Sequence, residues 1–182
     1  GSAVQQSKTC EIASLIRSNY HIEPVSHLTC VNARKDKIIE TLNTLKENGV
    51  QNILALRGDL PAGEENRSDF AHASDLAAFI KSYDASFNLV GACYPECHYE
   101  SQSLEADIEN LKYKIDSGVT HLITQLFFDN QRFYEFINKV RQAGITVPIQ
   151  AGIMPIVNKN QIERTISMCG ASIPTKLATI IN

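Results

Sequence analysis

The hydrophobic pattern of this 182-residue chain changes period repeatedly, from every second residue to every third or fourth and back, at intervals of roughly 30 residues. That alternation is the strongest constraint on the fold, because strand and helix units in strict succession are satisfied by a parallel sheet flanked by helices. Strand-like runs are predicted at 25–31, 52–57, 88–94, 121–127 and 149–154. Helical patterns are predicted at 4–18, 36–48, 74–83, 104–117, 130–143 and 159–168. Gly49, Gly118 and Gly144 each follow a helical pattern and precede a strand, as a left-handed helix end requires. Such a series either opens into a doubly wound sheet or closes into a barrel, and periodicity alone does not choose. A closed (β/α)8 TIM-type barrel takes eight strands in typically about 250 residues, so a chain with five strands would be a partial one.

With 43% hydrophobic and 20% charged residues the chain has the composition of one globular domain spanning 1–182. A formal charge of -3 and a pI near 6.0 leave no broad basic surface for a phosphate backbone, so nucleic acid is not an expected partner. The apolar runs are strand-sized, which argues against a membrane span and for a cytoplasmic protein. Five cysteines, Cys10, Cys30, Cys93, Cys97 and Cys169, include no pair separated by two residues. They are read as reduced thiols, and no metal site is expected.

In either architecture a ligand site forms beyond the carboxyl ends of the strands. His27 lies in "PVSHLTC"; the next run ends in Arg57-Gly58-Asp59; "ACYPECH" supplies Tyr94, Glu96 and His98; "LITQLFFD" supplies Gln125. A helical pattern in "EADIENLKYK" places Asp107, Asn110 and Lys114 on one face. Taken singly, His27 reads as a core histidine, Arg57 with Asp59 as a local ion pair, and the helical face as solvated. Taken together they point to a polar ligand, with Arg57 and Lys114 as cations for an anion such as phosphate. No glycine-rich dinucleotide fingerprint or P-loop is present, so side chains and loop amides would have to hold it. An integrin-type reading of Arg57-Gly58-Asp59 is disfavoured, because the tripeptide directly follows a buried strand in a chain without disulfide signals.

The blocks "HLTC", "ALRGDLP", "YPECH", "ADIENLKYKIDSG", "ITQLFFD" and "GIMPI", in this order between residues 9 and 174, resemble methylenetetrahydrofolate reductases. The resemblance implies an α/β fold of the (β/α)8 TIM-barrel type, present here as its central part, without the first two strands and the last. It also implies non-covalent FAD, NADH or NADPH as reductant, and reduction of 5,10-methylenetetrahydrofolate to 5-methyltetrahydrofolate in a ping-pong scheme.

By that resemblance His27 lies beside the flavin ring, and Arg57, Gly58 and Asp59 line the flavin and its phosphates. His72, Ala73, Tyr94, His98, Asp107, Asn110 and Lys114 are the further cofactor contacts. Asp59 and Gln125 are the expected catalytic residues, and Asp59, Gln125 and Gln161 face the folate. His72 and Tyr113 depart from the family pattern, where a tyrosine and a basic residue respectively can stand. A Phe-Glu-Phe-Phe-Pro-Pro segment, whose glutamate is the family's general acid, does not occur in these 182 residues. The alternative expectation is therefore a catalytically incomplete flavin- and folate-binding fragment. Homo-oligomers are compatible with all of these readings.

Overall fold

The computed structural model describes residues 3–59, 63, 67–155 and 159–181. Its elements alternate as the periodicity predicts. After α1 (Ala3–Tyr20) come β1 (Val25–Thr29), α2 (Lys35–Glu47), β2 (Asn52–Leu56), α3 (Ala73–Tyr83) and β3 (Asn88–Cys93). They are followed by α4 (Leu104–Asp116), β4 (Val119–Thr124), α5 (Asn130–Gln142), β5 (Ile149–Gln150), α6 (Lys159–Cys169) and α7 (Thr175–Ile181). The strands form one five-stranded sheet in the order β1-β2-β3-β4-β5. Pairing is parallel, with Val25 opposite Asn52, Asn52 opposite Asn88, and Leu122 opposite Ile149. An α/β fold of TIM-barrel type, with sequential parallel strands and returning helices, is thus present.

Two compact units share the chain: Gly1–Gly91 with Lys114–Thr120, and Ala92–Tyr113 with His121–Asn182. In the first, Ile38, Leu42 and Leu45 recur at helical spacing on α2, and Leu76, Ala77 and Ile80 do so on α3. All six are fully buried together with Ile53 of β2, which is the stripe-on-sheet burial that stabilises such layers. In the second unit Ile108 and Leu111 of α4, Leu122 of β4, and Phe136 and Val140 of α5 supply the core.

Both α2 and α5 end in the same motif. The Val50 N–H donates to Leu45 O and Gly49 N–H to Lys46 O; Ile145 N–H donates to Val140 O and Gly144 N–H to Arg141 O. These are Schellman closures, with Gly49 and Gly144 at φ 74° and 84°.

Alternation in β1 is strict: Ser26 and Leu28 are buried, whereas Val25 and His27 are exposed. Ser26 Oγ is a buried polar atom with no hydrogen-bond partner, although the residue is only 1% exposed. An unsatisfied buried hydroxyl costs stability. Ser26→Ala is expected to raise the unfolding free energy by about 0.5–1 kcal/mol. A denaturant melt with unchanged slope and a higher midpoint would show it; a lower midpoint would mean the hydroxyl is satisfied in solution.

Candidate active site

In the first unit the parallel pairing of β1 with β2 continues beyond the strands. Cys30 N–H donates to Leu56 O at 3.0 Å and Val31 N–H to Arg57 O at 2.7 Å. Arg57 is thereby fixed by its backbone, and its side chain is half-buried. Gly58 follows with φ 85°, where a Cβ would lie 2.7 Å from Val31 Cγ1. Asp59 is exposed just beyond it.

The segment leading into α3 is tied to the turn after β1. Ser68 Oγ donates to Cys30 O and Ala33 O, Lys35 N–H donates to Asp69 Oδ2, and Arg67 N–H donates to Asn32 Oδ1. His72 caps α3: its N–H donates to Asp75 Oδ2 at 2.8 Å, and its carbonyl accepts the Asp75 N–H at 3.2 Å. The His72 carbonyl also lies 3.8 Å from Cys30 Sγ. The carboxyl ends of β1 and β2 therefore carry Arg57, Gly58 and Asp59, with the His72-Ala73 cap held against Cys30. His27 sits mid-strand on the exposed face of β1, not in the core that a lone strand histidine suggests.

In the second unit Gln125 N–H donates to Cys93 O at 2.7 Å, joining the residue after β4 to the last residue of β3. The Gln125 side chain turns back on its own backbone, its Oε1 accepting Leu126 N–H at 2.9 Å. That bond assigns the amide, because an N–H needs an acceptor, and it leaves the NH2 to donate. Past β5, Gly152 N–H donates to Thr124 Oγ1 at 2.9 Å. After β3, Tyr94 meets His98 edge-on with ring centroids 4.6 Å apart, and His98 stacks on Tyr99 at 4.5 Å.

On α4 the three residues of the predicted face differ in use. Asp107 is half-buried and bonded to the loop after β3, Asn110 is exposed, and Lys114 is half-buried. Gln161, on α6, donates to Pro155 O at 3.4 Å. Sequence reasoning did not single out Tyr99 or Ser101, which touch His98 and Asp107 respectively. Neither sits at a spacing that announces such a contact.

Glu96, also at this strand end, accepts Ser172 N–H with both carboxylate oxygens, at 3.1 and 3.2 Å. It lines a cavity of about 350 Å³ with Pro95, Leu104, Arg132, Glu135 and Lys139. Burial pushes the Cys30 thiol up to about 11 and raises those of Cys10 and Cys97, the latter aided by the negative charges of Asp107 and Glu105. These thiols stay protonated at neutral pH and are poor nucleophiles. Among the described residues no group of three or more His, Cys, Asp or Glu side chains is arranged to hold a metal ion, and no helix is long and apolar enough to cross a membrane.

Comparison with known proteins agrees with the motifs. The family profile described as methylenetetrahydrofolate reductase matches residues 1–182. A probable methylenetetrahydrofolate reductase (NADH) of Oryza sativa subsp. japonica is 40% identical over 187 residues, covering 95% of this chain and 32% of the rice protein. The 5,10-methylenetetrahydrofolate reductase of Escherichia coli (strain K12) is 36% identical over 178 residues, covering 98% of this chain and 59% of the bacterial one. The chain thus spans about a third of the plant relative and three fifths of the bacterial one.

Among solved structures, an uncharacterized protein from Clostridium thermocellum that binds two copies of 5-methyl-5,6,7,8-tetrahydrofolic acid has a similar fold. Its TM-score is 0.59 at 15% identity, over 98% of this chain and 68% of that one. A 2,3-dimethylmalate lyase of the PEP mutase/isocitrate lyase superfamily gives 0.57 at 9% identity, over 92% and 57%. Six ordered motifs, a parallel α/β sheet and a profile match over the whole sequence place this chain in the methylenetetrahydrofolate reductase family.

Proposed function

We propose that the chain supplies flavin- and folate-contacting elements of a cytoplasmic enzyme that reduces 5,10-methylenetetrahydrofolate to 5-methyltetrahydrofolate with NADH or NADPH. The observation that carries this reading is the anchoring of the polar strand ends. Arg57 and Gln125 follow their strands on loops pinned by backbone hydrogen bonds, to Val31 and Cys93 respectively, so the side chains are presented by rigid backbone.

The residues fit FAD by chemistry. Arg57 and Lys114 are cations suited to phosphate, Tyr94 and His98 offer ring surfaces, and Gly58 keeps side-chain bulk out of a tight turn. FAD, when bound, supplies a hydride carrier between the nicotinamide and the folate, in two half-reactions. The chain's own work is binding and orientation. Asp59, an exposed carboxylate, accepts hydrogen bonds from the amino-pyrimidine edge of a pterin. Gln125 donates through its amide NH2 to a carbonyl or ring nitrogen of folate or nicotinamide, while its oxygen stays with Leu126. Gln161 is a further folate contact in this reading.

Titration of the purified chain with FAD should quench flavin fluorescence, and Asp59→Asn should weaken 5-methyltetrahydrofolate binding about 10-fold or more while FAD affinity changes less than about 3-fold. Anaerobic NADH or NADPH then tests reduction of the bound flavin. A chain that leaves flavin fluorescence untouched would end this proposal.

A further inference from the structure

Three charged side chains of α5, Arg132, Glu135 and Lys139, stand three and four residues apart, so they share one face of the helix. With Pro95, Glu96 and Leu104 they line the cavity of about 350 Å³. Pro95 is buried and Glu96 and Leu104 are half-buried, so these three form its floor, and the exposed α5 residues form its rim. Two ties hold the walls together. Glu96 accepts Ser172 N–H with both oxygens, and Lys139 Nζ donates to Glu105 Oε1 of α4 at 2.6 Å. None of the six lining residues is among those assigned above to flavin, nicotinamide or folate. On α4 the cavity adjoins Leu104, whereas Asp107, Asn110 and Lys114 project from the other side of the buried Ile108 and Leu111.

Charge decides what such a cavity can hold. Glu105 neutralises the Lys139 ammonium. A backbone N–H does not neutralise Glu96, and Glu135 accepts only a neutral amide donor, Gln131 Nε2, at 3.1 Å. Among the described residues Arg132 makes no ion pair. One guanidinium and two carboxylates thus keep their charges toward the cavity, over the apolar surface of Pro95 and Leu104. A simple anion would meet both carboxylates, and a simple cation would meet Arg132. A molecule carrying both charges a few bonds apart satisfies all three groups. Its carboxylate takes the fork of Arg132, its ammonium lies between Glu96 and Glu135, and an apolar side chain covers Leu104 and Pro95. The volume is at the small end of ligand sites, suited to one small metabolite.

We propose that this cavity binds a zwitterionic α-amino acid with an apolar side chain. The proposal is independent of the flavin reading, because no group assigned to the cofactor takes part.

L-Leucine is the test ligand, titrated into the full chain without flavin or folate and followed by calorimetry and by the amide shifts of Arg132 and Glu135. Two analogues each lack one charge: 4-methylpentanoate has no ammonium and 3-methylbutan-1-amine has no carboxylate. Saturable binding of L-leucine is expected, with each analogue weaker by about 5-fold or more, a modest factor because the rim is exposed. Arg132→Gln and Glu135→Gln should each weaken L-leucine by about 5-fold. Arg132→Gln should leave the amine bound no more weakly, and Glu135→Gln should do the same for 4-methylpentanoate. Both residues are exposed on a helix that their amides continue, so the melting curve stays in place. Any of three results would overturn the proposal: no saturable binding of L-leucine up to about 10 mM, analogues that bind as tightly as L-leucine, or affinity unchanged in both variants. FAD titration fails or succeeds separately, so loss of the flavin reading is distinguishable from loss of this one.

Discussion

Gly152→Ala is expected to be among the most destabilising single-methyl additions this chain can receive. A Cβ at residue 152 would fall inside the contact radius of the Thr124 carbonyl oxygen and 3.3 Å from its carbonyl carbon. The obstacle is backbone, so no rotamer change relieves it. The β4 to β5 ladder is short, pairing Leu122 with Ile149 and Ile123 with Gln150, and beyond it Gly152 N–H donates to Thr124 Oγ1. Relief requires residues 151–153 to swing away, which breaks that bond and disturbs the strand end from which Gln125 projects. Overpacking against fixed backbone, with loss of a part-buried hydrogen bond, should cost about 3 kcal/mol or more. That corresponds to a fall of roughly 6–12 °C in Tm for a chain of this length. Gly144→Ala is the comparison: it has φ 84° but meets open space, so its cost is confined to backbone strain of about 1–2 kcal/mol. A Gly152→Ala protein as stable as Gly144→Ala would show that the two segments are not in close contact.

The close approach at Gly152 also explains where sequence reading stops. The order and number of strands are legible because each apolar run is bounded by a helix-ending glycine or a polar turn. Boundaries fail where tertiary contacts compete with pattern. The run 121–127 looks continuous, yet β4 starts at Val119, directly after the tight turn at Gly118, and ends at Thr124. Phe127 instead stacks on Phe133 of α5, centroids 4.7 Å apart and planes 4° from parallel, so an aromatic read as strand is an anchor between loop and helix. The run 149–154 shrinks to Ile149–Gln150 because the chain passes too close to Thr124 at Gly152 for regular pleating. Seven residues of α7 were not anticipated, although Pro174, whose carbonyl accepts Leu177 and Ala178 N–H, is a reasonable helix-start signal.

Functional legibility divides along the same line. Residue types at strand ends were readable because (β/α) topology places those ends at ligand sites whatever the loops do. Spacing of Asp107, Asn110 and Lys114 on one helical face was readable too, but not that Asp107 turns to a loop while Asn110 stays exposed. That distinction depends on the left-handed Cys97, and Cys97 is neither Gly nor Asn. His27 shows the reverse case: strict alternation with Ser26 and Leu28 made its face a binary choice, and periodicity alone does not say which face is exposed.

Gly58→Ala should couple stability to cofactor binding most directly. Two costs add there. The backbone at φ 85° imposes about 1–2 kcal/mol on any residue with a Cβ. The new methyl would also lie 2.7 Å from Val31 Cγ1 and 3.2 Å from Val31 Cβ and Thr29 Cβ, an overpacking of typically about 1–3 kcal/mol. Val31 is buried and β-branched, so it has little freedom to rotate away, and the loop yields instead. Its movement strains the Val31 N–H to Arg57 O bond and carries Arg57 and Asp59 with it. Loss of about 2–5 kcal/mol in a denaturant melt is expected, together with FAD binding weakened by about 10-fold or more. A Val31→Ala background separates the costs. Removing Cγ1 and Cγ2 relieves the tightest contact and leaves the two at 3.2 Å, so Gly58→Ala should cost about 1–2 kcal/mol less there than in the natural sequence, while the left-handed strain persists. An equal cost in both backgrounds would place the whole effect in backbone conformation, and the position of Arg57 and Asp59 would then owe nothing to the fit of Gly58 against Val31.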